Sequence, residues 1–235
     1  MNKLTDGIKH LIIINVILFV APQLLQLDFT NMLALHFPEN EHFGFWQYIT
    51  HMFMHASFSH ILFNMYGLWA FGTPLEQIWG RKKFLFFYFS AGLGAGIIYT
   101  LVNYYQFNAA LETLVTSGIS QNEILELMNP TKMYQNKDLQ TMNQLYNTPA
   151  VGASGAVYGV LAAFGLYFKD AKLALIFLPI PIAAKYFIPV MIFGDLFFGM
   201  TKYSVGNIAH FAHIGGALIG FIIAYSWKKN QFKTT

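Results

Sequence analysis

Ser154 sits in Val-Gly-Ala-Ser-Gly-Ala-Val-Tyr-Gly, residues 151–159, as a hydroxyl among small and apolar neighbours. Gly152 suits a tight turn, and the apolar run on to Phe168 suits a helix. Ser154 is therefore expected at or near a helix N-terminus, where free backbone N–H groups and the positive dipole end stabilise an oxyanion. A serine becomes a nucleophile only beside a base, and His213 is the candidate, since histidine accepts a proton near neutral pH. His60 and Asn64 lie one helical turn apart and could donate to the same oxyanion together with the Ser154 N–H. A plainer alternative is that Gly155 and Gly159 form Gly-x-x-x-Gly, with Ser154 a small residue at a helix contact. The stretch is not a Gly-x-Ser-x-Gly elbow, because Ala156 stands where the last glycine belongs.

The elements that carry these residues belong to a membrane. Of 235 residues, 55% are hydrophobic and 11% charged, with a mean hydropathy of +0.44. A soluble domain is usually about 25% charged, so the shortage of charge and the long apolar runs define an integral membrane protein. A net charge of +3 gives no argument for nucleic acid; the placement of the basic residues says more. The absence of cysteine excludes disulfides, a thiol nucleophile and cysteine-ligated metal. No repeat or low-complexity segment is visible.

Six spans are expected, in a single all-α domain covering residues 1–235. The first is residues 11–27, interrupted by Asn15 and Pro22 and without a small-residue cleavage site after it. An outer loop, residues 28–50, carries Phe43, Phe45, Trp46 and Tyr48 and no lysine or arginine. The second span runs from about His51 to Trp79, the third covers 84–104, and a polar outer insertion fills 105–149. The fourth covers 150–168. Pro179 and Pro181 break any helix before a fifth at 186–200, and a sixth covers 208–227. With the N-terminus inside, Lys3, Lys9, Arg81, Lys82, Lys83, Lys169, Lys172, Lys185, Lys228, Lys229 and Lys233 fall inside, against Lys132, Lys137 and Lys202 outside. Both termini are then cytoplasmic, as the positive-inside rule requires.

Depth follows from helix rise. Ser154 to Phe168 is 15 residues, or about 22 Å, within a hydrocarbon core of ~30 Å. With Lys169 at the inner face, Ser154 lies roughly 8 Å below the outer one, and counting back from Lys228 puts His213 roughly 7 Å below it. His60 and Asn64 fall in the outer turns of their span. Polar groups are costly in a membrane, so several at one level point to a wet site inside the bundle. His213 shares a face with Gly216, Ala217 and Gly220, and Ser154 with Gly155, Tyr158 and Gly159. Packing of these two small-residue stripes would bring serine and histidine together. Asp195 counts as mid-span and too deep, a buried structural acid, and Glu76 as a structural acid near the inner face. The expected site is a Ser154–His213 dyad with Tyr158 packed on the imidazole.

These residues resemble the rhomboid family of intramembrane serine proteases. The similar motifs are His51-x-x-x-His55, His60-x-x-x-Asn64, Gly152-Ala153-Ser154-Gly155 with Tyr158, Ile180-Pro181-Ile182, and Ala212-His213-x-x-Gly216-x-x-x-Gly220. They lie in order across roughly residues 45–220. The resemblance implies Ser154 as nucleophile and His213 as base. It assigns oxyanion stabilisation to His60, Asn64 and the Ser154 backbone, with Tyr158, Gly152 and Gly155 in support. It implies a six-helix rhomboid-like bundle that cleaves transmembrane segments of other proteins without metal or cofactor, most simply in a bacterial inner membrane. Gln47 follows Trp46 where many members have arginine, and 105–149 is longer than in compact members.

Two rival readings accompany this one. A metal-ion transporter would use His51 with His55, His210 with His213, and Asp195; it leaves the placement of Ser154 unexplained. A catalytically inactive rhomboid-like membrane chaperone would have no need of both Ser154 and His213. Within the insertion, residues 107–115 have helical apolar spacing, Ser120 with Glu123 reads as a capping box, and Leu139, Met142 and Leu145 mark another short amphipathic piece. Both pieces are expected to rest on the headgroup region or the bundle, beside the site entrance.

Overall fold

The computed structural model describes residues 3–129, 131–175, 178–200 and 209–231. Lys202, Ile208 and Lys233, used above to set topology, lie outside the described residues. The first apolar run forms α1 (Asp6–Leu25), whose Asn15 amide turns inward on the Leu11 carbonyl at 2.8 Å and so hides its polarity. Its N-terminus is capped from elsewhere in the chain: the Gly7 and Ile8 amides donate to Glu76 at 2.7 and 2.9 Å, and the Thr5 hydroxyl joins them. Glu76 is thus the structural acid expected, with its charge placed at the positive end of a helix dipole.

The outer loop holds two single turns, α2 (Thr30–Leu33) and α3 (Gln47–Thr50). Gln47, wholly buried, ties it together: its amide donates to the Asn31 and His42 carbonyls at 3.1 and 2.7 Å and accepts from the His36 N–H at 3.2 Å. A neutral amide, with both donor and acceptor, thereby makes a structural contact at the position that raised a question in the sequence.

The second apolar segment is not one helix from His51. His51–Phe53 is a 3₁₀ turn, the chain then extends at Met54, and Ser57 caps α4 (Phe58–Gly67) by accepting the His60 N–H. A π-helical turn, Leu68–Gly72, leads into α5 (Thr73–Trp79), and Gly80 ends it at φ +76°. His51 and His55 therefore share no helix face, which removes one of the two histidine spacings on which the transporter reading drew.

The third segment, α6 (Arg81–Thr116), does not stop at residue 104 but runs 36 residues, about 54 Å, well beyond a ~30 Å hydrocarbon core. Its C-terminal end carries the insertion. The Ser120 hydroxyl accepts the Glu123 N–H before α7 (Gln121–Glu126), and the Asn136 side chain caps α8 (Lys137–Asn147). Ile124, Leu139 and Met142 close a small second core on Phe37, Phe107, Ala110 and Leu114. The amphipathic pieces thus bury their apolar faces against α6 and the outer loop.

The fourth apolar run is α9 (Ser154–Tyr167), buried along most of its length. Two strands follow, β1 (Lys172–Leu175) and β2 (Leu178–Ala183), paired antiparallel with Lys172 opposite Ala183 and Leu173 opposite Ile182. The fold is mostly helical, as expected, and this short hairpin is the addition: the prolines that exclude a helix leave extended chain. At the base of the hairpin the Lys185 ammonium donates to Asp170 at 2.8 Å, which holds the Asp170 carboxyl below its ordinary range. Then come α10 (Ala184–Met200) and α11 (His210–Gln231).

The main core gathers Phe84, Phe87, Tyr88, Leu68, Leu75, Val160 and Ala163 between α4, α5, α6 and α9. Outside it, large apolar side chains face outward, including Ile17, Leu24, Val190, Phe193 and Ile222. Among the described residues three helices, Asp6–Leu25, Arg81–Thr116 and His210–Asn230, are long and apolar enough to cross a membrane; Ser154–Tyr167 is shorter. An outward apolar surface of this extent needs lipid around it, and the molecule is an integral membrane protein.

Candidate active site

The site is built where α9 and α11 touch backbone to backbone. A Cβ added at Gly216 would stand 1.9 Å from the Gly155 carbonyl oxygen, and one at Gly220 would stand 2.5 Å from Gly159 Cα. No side chain fits between them, so the glycine stripes bring the helices together as the spacing predicts. His213 Nε2 consequently lies 2.8 Å from Ser154 Oγ, in hydrogen-bond reach. Tyr158, one turn along α9, lies parallel to the His213 imidazole with ring centroids 4.3 Å apart.

Ser154 is the first residue of α9, after Ala153, so its N–H has no partner within the helix. The turn before it is held on two sides. Leu35 and Ala150 exchange backbone hydrogen bonds of 2.9 and 2.8 Å, and the Gly152 N–H donates to the His51 carbonyl at 2.9 Å. Gly152 has φ +124°, where only glycine sits without strain. A Cβ there would also meet His60 Nε2 at 2.7 Å. That nitrogen therefore lies against the turn that carries the serine. His60 Nδ1 faces the Ala56 N–H at 3.4 Å, which leaves Nε2 as the protonated, donating nitrogen of a neutral ring. Asn64, buried one turn below, spends one amide hydrogen on the His60 carbonyl at 2.9 Å and keeps the second.

The structure corrects the reading of Asp195. Its Oδ2 lies 2.6 Å from His213 Nδ1, and its other oxygen is hydrogen-bonded to His210 Nδ1. The serine, histidine and aspartate form a continuous chain where a dyad was expected. Asp195 is five residues from the last residue of α10, or about 7.5 Å along its axis, and His213 is within the first turn of α11. The two residues are at the same level. A count from the outer end of the fifth span would have found this, as would the i, i+3 spacing that puts His210 and His213 on one face. Asp195, His210 and His213 are all nearly buried, with side chains 9%, 7% and 12% exposed.

These features define a class: a helical integral membrane protein with a serine, a histidine and an aspartate joined inside its bundle. A family model described as the Rhomboid domain matches residues 42–230, and the chain belongs to the rhomboid family. It is similar to Rhomboid protease AarA of Providencia stuartii, at 27% identity over 188 residues, 77% of this chain and 56% of that protein. It is similar also to Rhomboid protease GluP of Bacillus subtilis, at 26% identity over 76% of this chain and 25% of that protein. The mitochondrial presenilin-associated rhomboid-like protein of Bos taurus is 31% identical over 76% of this chain and 38% of that protein. The chain thus spans about half the length of these relatives, or less.

Proposed function

We propose that the chain is an intramembrane serine endopeptidase that hydrolyses peptide bonds in or near transmembrane segments of other membrane proteins. The observation that carries this reading is the 2.8 Å approach of His213 Nε2 to Ser154 Oγ at a helix N-terminus. In the first half-reaction His213 Nε2 takes the hydroxyl proton while Oγ attacks the scissile carbonyl carbon. The carbonyl oxygen gathers the negative charge, and the Ser154 N–H, His60 Nε2–H and the free Asn64 amide hydrogen are the donors available to it. His213 then gives the proton to the departing amine nitrogen as the C–N bond breaks, and a water repeats the sequence on the acyl-enzyme. Tyr158 keeps the imidazole plane fixed, and Gly152 and Gly155 let His60 and α11 approach.

The reading takes the bundle as six spans with both termini in the cytoplasm of a bacterial cell, and the site open toward the outer leaflet. Substrates are transmembrane helices whose backbone unwinds near that face, since a regular helix keeps its carbonyls in internal hydrogen bonds. The test is cleavage of a single-span reporter by purified protein in liposomes, with Ser154→Ala as control. Cleavage lost in the variant supports the reading; cleavage retained by Ser154→Ala in a clean preparation overturns it.

A further inference from the structure

We infer that Asp195 is a positioning residue for the base: it fixes the tautomer and the in-plane aim of His213, and with its second oxygen it holds His210 and His213 as a pair. The inference rests on the endopeptidase reading above. An ionised carboxylate has no proton to donate, so at 2.6 Å from Oδ2 the His213 Nδ1 is the donor. A neutral imidazole carries one N–H. With that hydrogen on Nδ1, Nε2 keeps its lone pair, and Nε2 is the atom facing Ser154 Oγ. This is the tautomer that can take the serine proton.

The stacked Tyr158 ring, 11° from parallel, sets the tilt of the imidazole but leaves rotation in its own plane free. The carboxylate removes that freedom. Asp195 is itself held by His210 on its other oxygen. Burial of all three linked side chains keeps water from competing for Nδ1. An acid that merely tied α10 to α11 would be served by His210 alone. The second bond, to the residue that faces the serine, is what the positioning role requires. When Nε2 gains the proton, the carboxylate also stands against the imidazolium in a water-poor site, where the pairing is strong.

Asp195→Asn in the full chain, reconstituted in liposomes, is the test. Asparagine keeps the size but can present an N–H to Nδ1, favouring the tautomer that cannot accept the serine proton. The rate of fluorophosphonate labelling at Ser154 and kcat on a transmembrane reporter should both fall ~100-fold or more, with KM within ~3-fold and the final labelled fraction unchanged. A lower melting temperature with kcat and labelling rate per folded molecule intact would mean a structural acid, and would overturn the inference. Should the variant not fold, the wild type decides: ¹⁵N-histidine spectra, assigned with His213→Gln, should show His213 as the Nδ1–H tautomer, and the Nε2–H tautomer would overturn it. The two claims fail separately. Wild-type protein that neither labels nor cleaves ends the endopeptidase reading and this inference with it; labelled wild type matched by Asp195→Asn ends this inference alone.

Discussion

Ser154 and His213 act as a unit in this account, because one supplies the electron pair that the other frees. Ser154→Ala and His213→Ala should each remove nearly all reporter cleavage, and the double variant should be scarcely worse than either. Additive losses in the double variant would mean that the two side chains act independently. His60→Ala and Asn64→Ala should lower kcat by ~10–1000-fold each, since one oxyanion donor is worth a few kcal/mol. Full-rate cleavage by both variants would make them packing residues. Ser154 and His213 were legible because Lys169 and Lys228 mark the far ends of their spans, so that helix rise sets the two residues at one level. Asp195 was misplaced, because it was assigned a mid-span depth where a count from the C-terminal end of its own helix puts it level with His213. Gly152 was read as a turn former; that its missing Cβ also makes room for His60 depends on a contact from a distant segment.

At the scale of elements, the site depends on how closely α9 and α11 approach. Gly216→Val puts a branched side chain where even a Cβ stands 1.9 Å from the Gly155 oxygen. The helices must part, and a shift of about 1 Å at the reacting atoms can cost ~100-fold. Labelling of Ser154 should therefore fall at least that far in protein that still inserts; normal labelling would show that the stripe is not what aligns the pair. Glu76 acts at the other end of the bundle. Glu76→Ala strips α1 of a charged cap and should lower stability by about 3 kcal/mol, read by denaturant titration, with the labelling rate per folded molecule unchanged. Residue spacing foretold both glycine stripes and both insertion helices, through apolar periodicity and the Ser120 capping box. It did not foretell the π turn at Leu68–Gly72, which contains nothing that forbids an α-helix. Nor did it foretell the break between His51 and Phe58, where no proline or glycine stands.

For the whole molecule, the outer cap formed by α7 and α8 lies on the loop that also braces the serine turn. Leu35 bonds to Ala150, and Phe37 two residues on enters the second core. Our hypothesis is that the cap governs which substrates enter and leaves the chemistry alone. Replacing 118–134 with a Gly/Ser linker, while α8 is kept, should leave Ser154 labelling within ~3-fold per folded molecule, since the Leu35–Ala150 brace and α8 remain, and should alter relative cleavage across a panel of transmembrane substrates. Unchanged relative rates would make the cap a tolerated surface addition. Topology can be read as directly, because the chain has no cysteine of its own. A cysteine at Lys132 should react with an impermeant maleimide in intact cells, and one at Lys229 only after permeabilisation. The reverse pattern would invert the orientation. Basic residues carry this orientation as an expectation from sequence; the cap's docking could not be read there, since it depends on Phe37 meeting helices far along the chain.

The most direct test of the account is labelling of the purified, reconstituted chain with a fluorophosphonate, the modified residue being found by mass spectrometry. The account predicts one adduct, on Ser154, lost in His213→Ala and slowed by prior incubation with a cleavable transmembrane substrate. Failure of Ser154 to label in folded protein, or labelling undiminished in His213→Ala, would contradict it.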